Sequence, residues 1–157
     1  MPAEMSYGDI RIDKEGVWHY RGAEMFRQDI VSMLYRSLRQ DEDGRYLIDL
    51  AGERAYPEVE DTPFVIKSVS YATGDQGETF ALFMPDGSKE DLDPKTLRTS
   101  ADDVLYCTLS PGFPARFSRA AYYQLAEHIQ YDAEQDRYYL MMNSNRFYIT
   151  TESSNHS

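Results

Sequence analysis

The stretch that decides the fold reads Phe26-Arg27-Gln28-Asp29-Ile30-Val31-Ser32-Met33-Leu34-Tyr35-Arg36-Ser37-Leu38, then Asp41-Glu42-Asp43-Gly44, then Arg45-Tyr46-Leu47-Ile48, and runs on to Tyr56. Phe26, Ile30, Met33, Leu34 and Leu38 recur at helical spacing, which predicts an amphipathic helix over Met25–Arg39. The acidic run ending in Gly44 reads as a turn, and the residues beyond it as a strand hairpin. Further along the chain the pattern returns. Phe26 aligns with Phe117, Leu34 with Leu125, Leu38 with Ile129 and Asp41 with Asp132 at one offset. After one inserted residue, Arg45 aligns with Arg137, Tyr46 with Tyr138, Ile48 with Leu140, Arg54 with Arg146 and Tyr56 with Tyr148. A shared helical phase arises easily by chance; matched Arg and Tyr positions after a single-residue gap do not. The sequence therefore reads as α+β, a duplicated unit of one helix packed on a mainly antiparallel sheet.

Working outward, residues 1–9 read as a loose arm, 10–87 as the first half, 88–103 as an acidic connector, 104–150 as the second half and 151–157 as a polar tail. Ile10-Arg11-Ile12 and Val17-Trp18-His19-Tyr20 alternate across a polar loop and predict a hairpin. Tyr46–Leu50 and Arg54–Val59 predict a strand pair, as do Phe64–Tyr71 and Thr79–Met84. In the second half, Val104–Leu109 is a strand and Ser110-Pro111-Gly112-Phe113-Pro114 a turn. Ser118 is the expected N-cap of a helix over Arg119–Gln130, with Ala121, Tyr122, Leu125 and Ile129 as its buried stripe. Arg137–Met142 and Arg146–Thr150 close the unit.

The formal charge of −11 is concentrated. Residues 41–103 hold sixteen acids against six bases. Such a surface repels phosphate backbones and anionic lipid, so neither a nucleic acid polymer nor a membrane is an expected partner. The single Cys107 sits in an apolar run and is expected to be a buried thiol, in keeping with a reducing compartment. With no basic start followed by an apolar run at the N-terminus, the expectation is a cytoplasmic protein. Its 13 tyrosines and Arg-rich basic set suit a recognition surface of planar side chains.

Recognised catalytic patterns are missing. His19, His128 and His156 stand far apart, and the acidic run fails the calcium-loop template, with Arg39 where the first Asp belongs and Leu50 where the closing Glu belongs. Neither a nucleophile elbow nor a phosphate cradle occurs, and no cofactor is expected. The stretch Pro57-Glu58-Val59-Glu60-Asp61-Thr62-Pro63-Phe64 says more. Glu60 or Asp61 could clamp Arg27 or Arg116, or accept hydrogen bonds from a ligand beside an arginine-bound anion.

Several motifs resemble one bacterial family, domain of unknown function 1285. They are Gly16-Val17-Trp18-His19-Tyr20-Arg21-Gly22 followed by Arg27, Asp43-Gly44-Arg45-Tyr46-Leu47, and Val59-Glu60-Asp61-Thr62-Pro63-Phe64. Pro114-Ala115-Arg116-Phe117-Ser118-Arg119 with Tyr122-Tyr123-Gln124-Leu125 is similar to its second helix region. The resemblance covers roughly Ile10 to Ile149. Glu24 in place of a Pro, and Ala51-Gly52 in place of a Thr-Pro-like pair, depart from the pattern. The resemblance implies a duplicated α+β fold, with a C-terminal half superficially similar to pleckstrin-homology-like domains. It also implies a small-ligand, nucleotide-like site between halves, a role in signalling and no established catalysis.

The leading expectation is thus a cytoplasmic regulatory protein that binds a small anionic ligand. Arg27 and Arg116 would anchor the anion, Glu60 and Asp61 accept hydrogen bonds, and Trp18 and Tyr123 stack on the ligand. One rival is a hydrolase or transferase acting on a phosphorylated small molecule with Asp61 or His19 as base. Another is an interaction module, a homodimer formed through Tyr122, Tyr123 and Tyr131.

Overall fold

The computed structural model describes residues 7–151; the outer parts of the expected arm and tail, 1–6 and 152–157, lie outside the described residues, as does His156. The chain divides into two compact units, Met1–Pro63 and Phe64–Ser157. Strand outweighs helix, 48% to 15%, so the class is α+β and sheet-dominated.

In the first unit, a short 3-10 turn at Tyr7–Asp9 leads into β1 (Ile10–Ile12), β2 (Trp18–Tyr20) and β3 (Ala23–Glu24). Helix α1 (Gln28–Arg36) follows, then β4 (Leu38–Gln40), β5 (Tyr46–Leu50), β6 (Glu53–Ala55) and β7 (Glu58–Val59). The sheet order is β3-β2-β1-β7, antiparallel except for β7, which returns parallel to β1. Strands β4, β5 and β6 form a separate antiparallel meander. Ile10, Ile12, Trp18, Leu38 and Ile48 are buried, and α1 buries Val31, Leu34 and Tyr35, while Ile30 and Met33 of the expected stripe are only partly buried.

The second unit opens with β8 (Phe64–Ile66), β9 (Ser68–Gly74), β10 (Gly77–Phe83) and β11 (Lys89–Asp91). It continues with β12 (Arg98–Thr99), β13 (Leu105–Leu109), β14 (Phe113–Phe117), helix α2 (Arg119–Ala126), β15 (Ile129–Asp132), β16 (Arg137–Met142), β17 (Asn145–Tyr148) and β18 (Thr150–Thr151). One sheet runs β18-β12-β13-β14-β8, with β18 parallel to β12 and β8 parallel to β14. Strands β9, β10 and β11 form a second sheet, and β15, β16 and β17 a meander. Ser118 caps α2 by accepting from the Ala121 N–H at 3.1 Å, as its type and place predict. The core gathers Phe80, Leu82, Leu97, Leu105, Cys107, Phe117, Leu125 and Leu140.

Several expectations are corrected. Both helices are shorter than the apolar stripe suggests, because Leu38 and Ile129 open strands β4 and β15 instead of ending helices. An apolar residue four beyond Leu34 or Leu125 satisfies a helix stripe, yet it serves equally as a buried first strand residue, and sheet pairing wins. Phe26 is 77% exposed whereas Phe117 is 3% exposed, so that aligned pair has unlike surroundings. The expected strand Arg54–Val59 is interrupted ahead of Glu58 at Pro57, which has no N–H to donate. Phe113 and Pro114 belong to β14 and not to the turn. The stretch 88–103, expected as a connector, carries β11 and β12 and buries Leu92 and Leu97.

The hairpin of β9 and β10 generates a stability prediction. Gly77 has φ +100°, and a Cβ built there meets the Asn143 carboxamide. That carboxamide accepts from the Glu78 N–H at 2.7 Å, while the Asn143 N–H donates to Glu78 Oε1 at 2.6 Å. Gly77→Ala adds backbone strain and breaks this contact, with an expected loss of about 1–3 kcal/mol in urea unfolding. A variant as stable as the parent would contradict the placement.

Candidate functional site

The second unit holds a cavity of about 430 Å³, inside the range of about 300–1,000 Å³ typical of small-molecule sites. Its position follows from local structure. Strands β12 and β18 run side by side and present Thr99 and Thr151, whose hydroxyls lie 3.4 Å apart. Leu105 comes from β13, where it pairs with Thr99. Tyr122 and Ala126 lie one turn apart on α2 and so share a face. Ile129, Tyr138 and Ile149 complete the wall, and Asp103 stands at the rim in an exposed turn. Leu105 and Ile149 are buried, while Tyr122 and Tyr138 are largely open to solvent. The result is an apolar floor beneath hydroxyls and one carboxylate. None of the lining residues is basic.

A second, more open concavity of about 620 Å³ lies in the first unit along Arg39, Asp41, Glu42, Asp49 and Arg54. Its polar groups serve each other. Asp41 Oδ1 accepts the N–H groups of Asp43 and Arg45, each at 2.9 Å, and the Tyr56 hydroxyl donates to Asp41 Oδ2 at 3.0 Å. The Arg45 N–H chiefly, with Tyr56 in support, holds Asp41 below the usual carboxylate range. Arg45 stacks over the Tyr56 ring at 3.8 Å, and Arg54 reaches Asp49 at 3.3 Å. Among the described residues no group of three or more His, Cys, Asp or Glu side chains could hold a metal ion. This concavity is a braced turn with little left to offer a ligand.

The second unit contains a turn of the same chemistry. The Tyr148 hydroxyl donates to Asp132 Oδ2 at 2.6 Å, Arg146 donates to the same oxygen at 3.1 Å, and Arg137 stacks over Tyr148 at 4.7 Å. The Tyr148 hydroxyl, then the N–H groups of Gln135 and Glu134, lower the Asp132 pKa.

The residues expected to form a site fare unevenly. Trp18 is a core residue, 2% exposed, with its ring edge-on to Tyr35 at 4.8 Å. Neither face is open for a ligand to stack on, so the wall expected from Trp18 is not there. Arg27 is exposed and forked onto Asp29 at 3.0 and 2.7 Å, so an anion binding it would have to displace a carboxylate. Glu60 pairs with Arg11 at 3.6 Å and accepts the Lys14 N–H at 2.9 Å. Glu60 thus ties the loop of the first hairpin to the end of β7. Asp61 is exposed between β7 and β8, and Arg116 is half-buried on β14 opposite Tyr106 and Val65. Tyr123 is 57% exposed and stands edge-on to Tyr122. His19, a suggested base, meets Asp13 at 2.9 Å. Partial burial pushes Asp13 upward, but His19 and the N–H groups of Val17 and Glu15 hold it below its ordinary value.

Of the cavity residues, the sequence singles out Tyr122 for its chemistry and not Ala126 or Leu105, whose side chains carry no functional group, nor Thr151, which falls in the expected polar tail. A signal existed. The offset that aligns Leu34 with Leu125 also sets Tyr35 opposite Ala126, a large aromatic against the smallest apolar side chain.

Cys107 is fully buried, and burial pushes its thiol up to about 12, with Arg98 opposing and Glu90 adding to the shift. A neutral, enclosed thiol is neither a nucleophile nor an oxidant sensor.

Comparison with known proteins follows the same lines. Residues 1–62 match the N-terminal domain of the family described as domain of unknown function (DUF1285). A DUF1285 family protein from Silicibacter pomeroyi DSS-3 superposes with a TM-score of 0.73 at 18% identity, over 93% of this chain and 80% of that one. A DUF1285 family protein from Shewanella baltica OS155 superposes with a TM-score of 0.64 at 22% identity, over 76% of this chain and 91% of that one. No curated protein matches. The family that the motifs at 16–22, 43–47 and 59–64 resemble is therefore the one whose N-terminal domain residues 1–62 match.

Two predictions follow from these side chains. Native protein at pH 8 should resist iodoacetamide at Cys107 and react only once unfolded. Because the folded thiol titrates above the unfolded one, its contribution to stability is full below about pH 9 and lost as the pH climbs toward 12. Labelling of the native state at the unfolded rate would overturn this. For Asp132 the sign is opposite. Its folded pKa is depressed, so stability is present above 3.8 and lost as pH falls below it. Tyr148→Phe should raise the Asp132 carboxyl pKa in an NMR titration and move the acid limb of unfolding to higher pH.

Proposed function

Starting from a chain that carries the DUF1285 N-terminal domain, we propose that this is a non-catalytic, small-molecule-binding protein of regulatory type. On this reading it is built from two copies of one unit, and its ligand sits in the cavity of the second copy.

Strand register supports the copying. Ile12 lies between Trp18 and Val59 in one sheet, and Thr99 lies between Leu105 and Thr151 in the other. The turn between the first two strands is tied alike in both. Asp13 Oδ1 accepts the N–H groups of Glu15 and Val17, while Ser100 Oγ accepts those of Asp102 and Val104. Each turn then passes through positive φ, at Gly16 (85°) and at Asp103 (63°). After the helix, each meander carries the Asp, Tyr and Arg cluster described above. The copies would be 10–59 and 98–151, so the first is shorter than the expected 10–87 and the second begins before 104. Strands β8 to β11 lie between them without counterparts.

The observation that carries binding over catalysis is the lining of the 430 Å³ cavity. Aliphatic side chains, tyrosine and threonine hydroxyls and one rim carboxylate can hold and orient a molecule. They supply no activated nucleophile and no paired acid and base. A hydrolase or transferase using His19 has less support, since His19 is held by Asp13 on a hairpin. The absence of basic lining residues also makes a nucleotide-like anion less suited to this cavity than a neutral or cationic compound. A cytoplasmic location belongs to the same proposal, supported by the single enclosed thiol.

A thermal-shift panel of nucleotides, sugars, organic acids and aromatic amines tests the reading. A ligand at 100 times its Kd should stabilise by about 2.7 kcal/mol, and Ala126→Tyr, which fills the floor, should erase the shift. Failure of every compound to move the melting point, or a shift that survives Ala126→Tyr, would sink it. Homodimerisation through exposed Tyr122, Tyr123 and Tyr131 remains a second reading, supported by their exposure. Sedimentation should then give a dimer that Tyr123→Glu converts to monomer.

A further inference from the structure

The geometry points to an aromatic amine, a flat ring of about indole size bearing a positively charged nitrogen, as the chemical class that fills the cavity of the second unit. This rests on the proposed ligand-binding role of that cavity and on the correspondence between the two units.

The first unit supplies the template for the ring. Under the register given above, Leu105 corresponds to Trp18 and Ala126 to Tyr35. Trp18 and Tyr35 are both buried, and their rings meet edge to face with centroids 4.8 Å apart and planes at 61°, an arrangement aromatic pairs favour. One unit thus closes the space between its helix and its first sheet with an indole and a phenol. The other has a branched aliphatic and a methyl group there, and in it the space is open to about 430 Å³. Three further lining positions differ between the units, while Ile129 and Tyr138 keep the character of Leu38 and Tyr46. Thr99 and Thr151 stand where the first unit has Ile12 and Val59, and Asp103 stands where it has the buried Gly16. Two aliphatic side chains give way to hydroxyls, and a glycine to a carboxylate, around a space of aromatic dimensions. That is the composition of a site for a ring with a polar end, not of a packing defect. A defect in an otherwise apolar interior would keep an apolar lining.

The charge of the ligand follows from the rim. Asp103 is the one ionisable carboxylate on the lining, and the tyrosine rings of Tyr122 and Tyr138 offer electron-rich faces to a cation. The net charge of −11 draws cations and repels anions. A neutral ring would gain from the floor alone, whereas an ammonium group gains from the rim as well.

Tryptamine, indole-3-acetate and ATP, titrated against full-length protein and followed by NMR, make the test. Expected are tryptamine-induced shifts confined to Leu105, Ala126, Ile129 and Ile149. Asp103→Asn should weaken affinity about three- to tenfold. Ala126→Tyr should abolish binding, with unchanged or raised melting temperature as evidence that the variant folds. Should that variant misfold, Ala126→Leu narrows the cavity by less and is expected to weaken binding at least severalfold. Preference for indole-3-acetate or ATP at these same residues overturns the amine assignment and leaves the ligand-binding role standing. Tryptamine binding that ignores Asp103 and Ala126 overturns the assignment too. Silence from all three probes, combined with a blank thermal-shift panel, removes both.

Discussion

The parallel return of a two-residue strand onto the strand that opened the sheet is the constraint on which each unit depends. Strand β7 closes on β1, and β18 closes on β12. Parallel neighbours cannot be joined by a tight turn, so an excursion of one helix and five strands lies between them in each unit. That requirement places the helix over its own sheet. It brings the last helical turn against the second strand, and makes the side chains at those two places decide whether the space between is filled. Trp18 with Tyr35 fills it; Leu105 with Ala126 does not.

The meander within each excursion is held by a second, cheaper device. A carboxylate takes the N–H groups of its own turn and a tyrosine hydroxyl from the last strand, and an arginine covers that tyrosine. These groups are exposed or half-exposed, so each ion pair contributes little by itself. Their value is geometric: the turn and the far strand of a three-stranded sheet are pinned together, and register is fixed where a small sheet would otherwise slip. The conspicuous Arg and Tyr content therefore has a structural use before any ligand is considered. The same holds for Arg27 and Glu60, whose charges are engaged by Asp29 and Arg11. Charged side chains between strands attract attention in a sequence, yet here most have a neighbour to satisfy.

The cavity of the second unit is instead defined by what its residues lack. Ala126 and Leu105 matter because they are smaller than a close-packed interior at those positions requires. Such a space is legible only when Leu105 and Ala126 are set beside Trp18 and Tyr35. It also explains why the candidate residues chosen for charge or aromaticity scatter. Trp18 offers a ring to stack on, but its large area makes it core. Phe26 was paired with Phe117 by residue type, yet β3 is two residues long and β14 five, and only Phe117 is buried.

The sequence by itself determined the α+β class, the strands Tyr46–Leu50 and Arg137–Met142, the Ser118 cap and the family it resembles. These follow from local periodicity, capping chemistry and short motifs, which are written along the chain. Tertiary structure decided where the helices stop, because Leu38 and Ile129 fit a helical stripe and a buried strand equally well and only pairing with Ile48 and Leu140 selects between them. It also decided the return of β7 and β18, which are two residues long and too short to show alternation. Last, it decided the cavity, since the void beside Ala126 depends on side chains drawn from five strands, one helix and the segments that hold Asp103 and Ile149, and no local pattern encodes the distance between them.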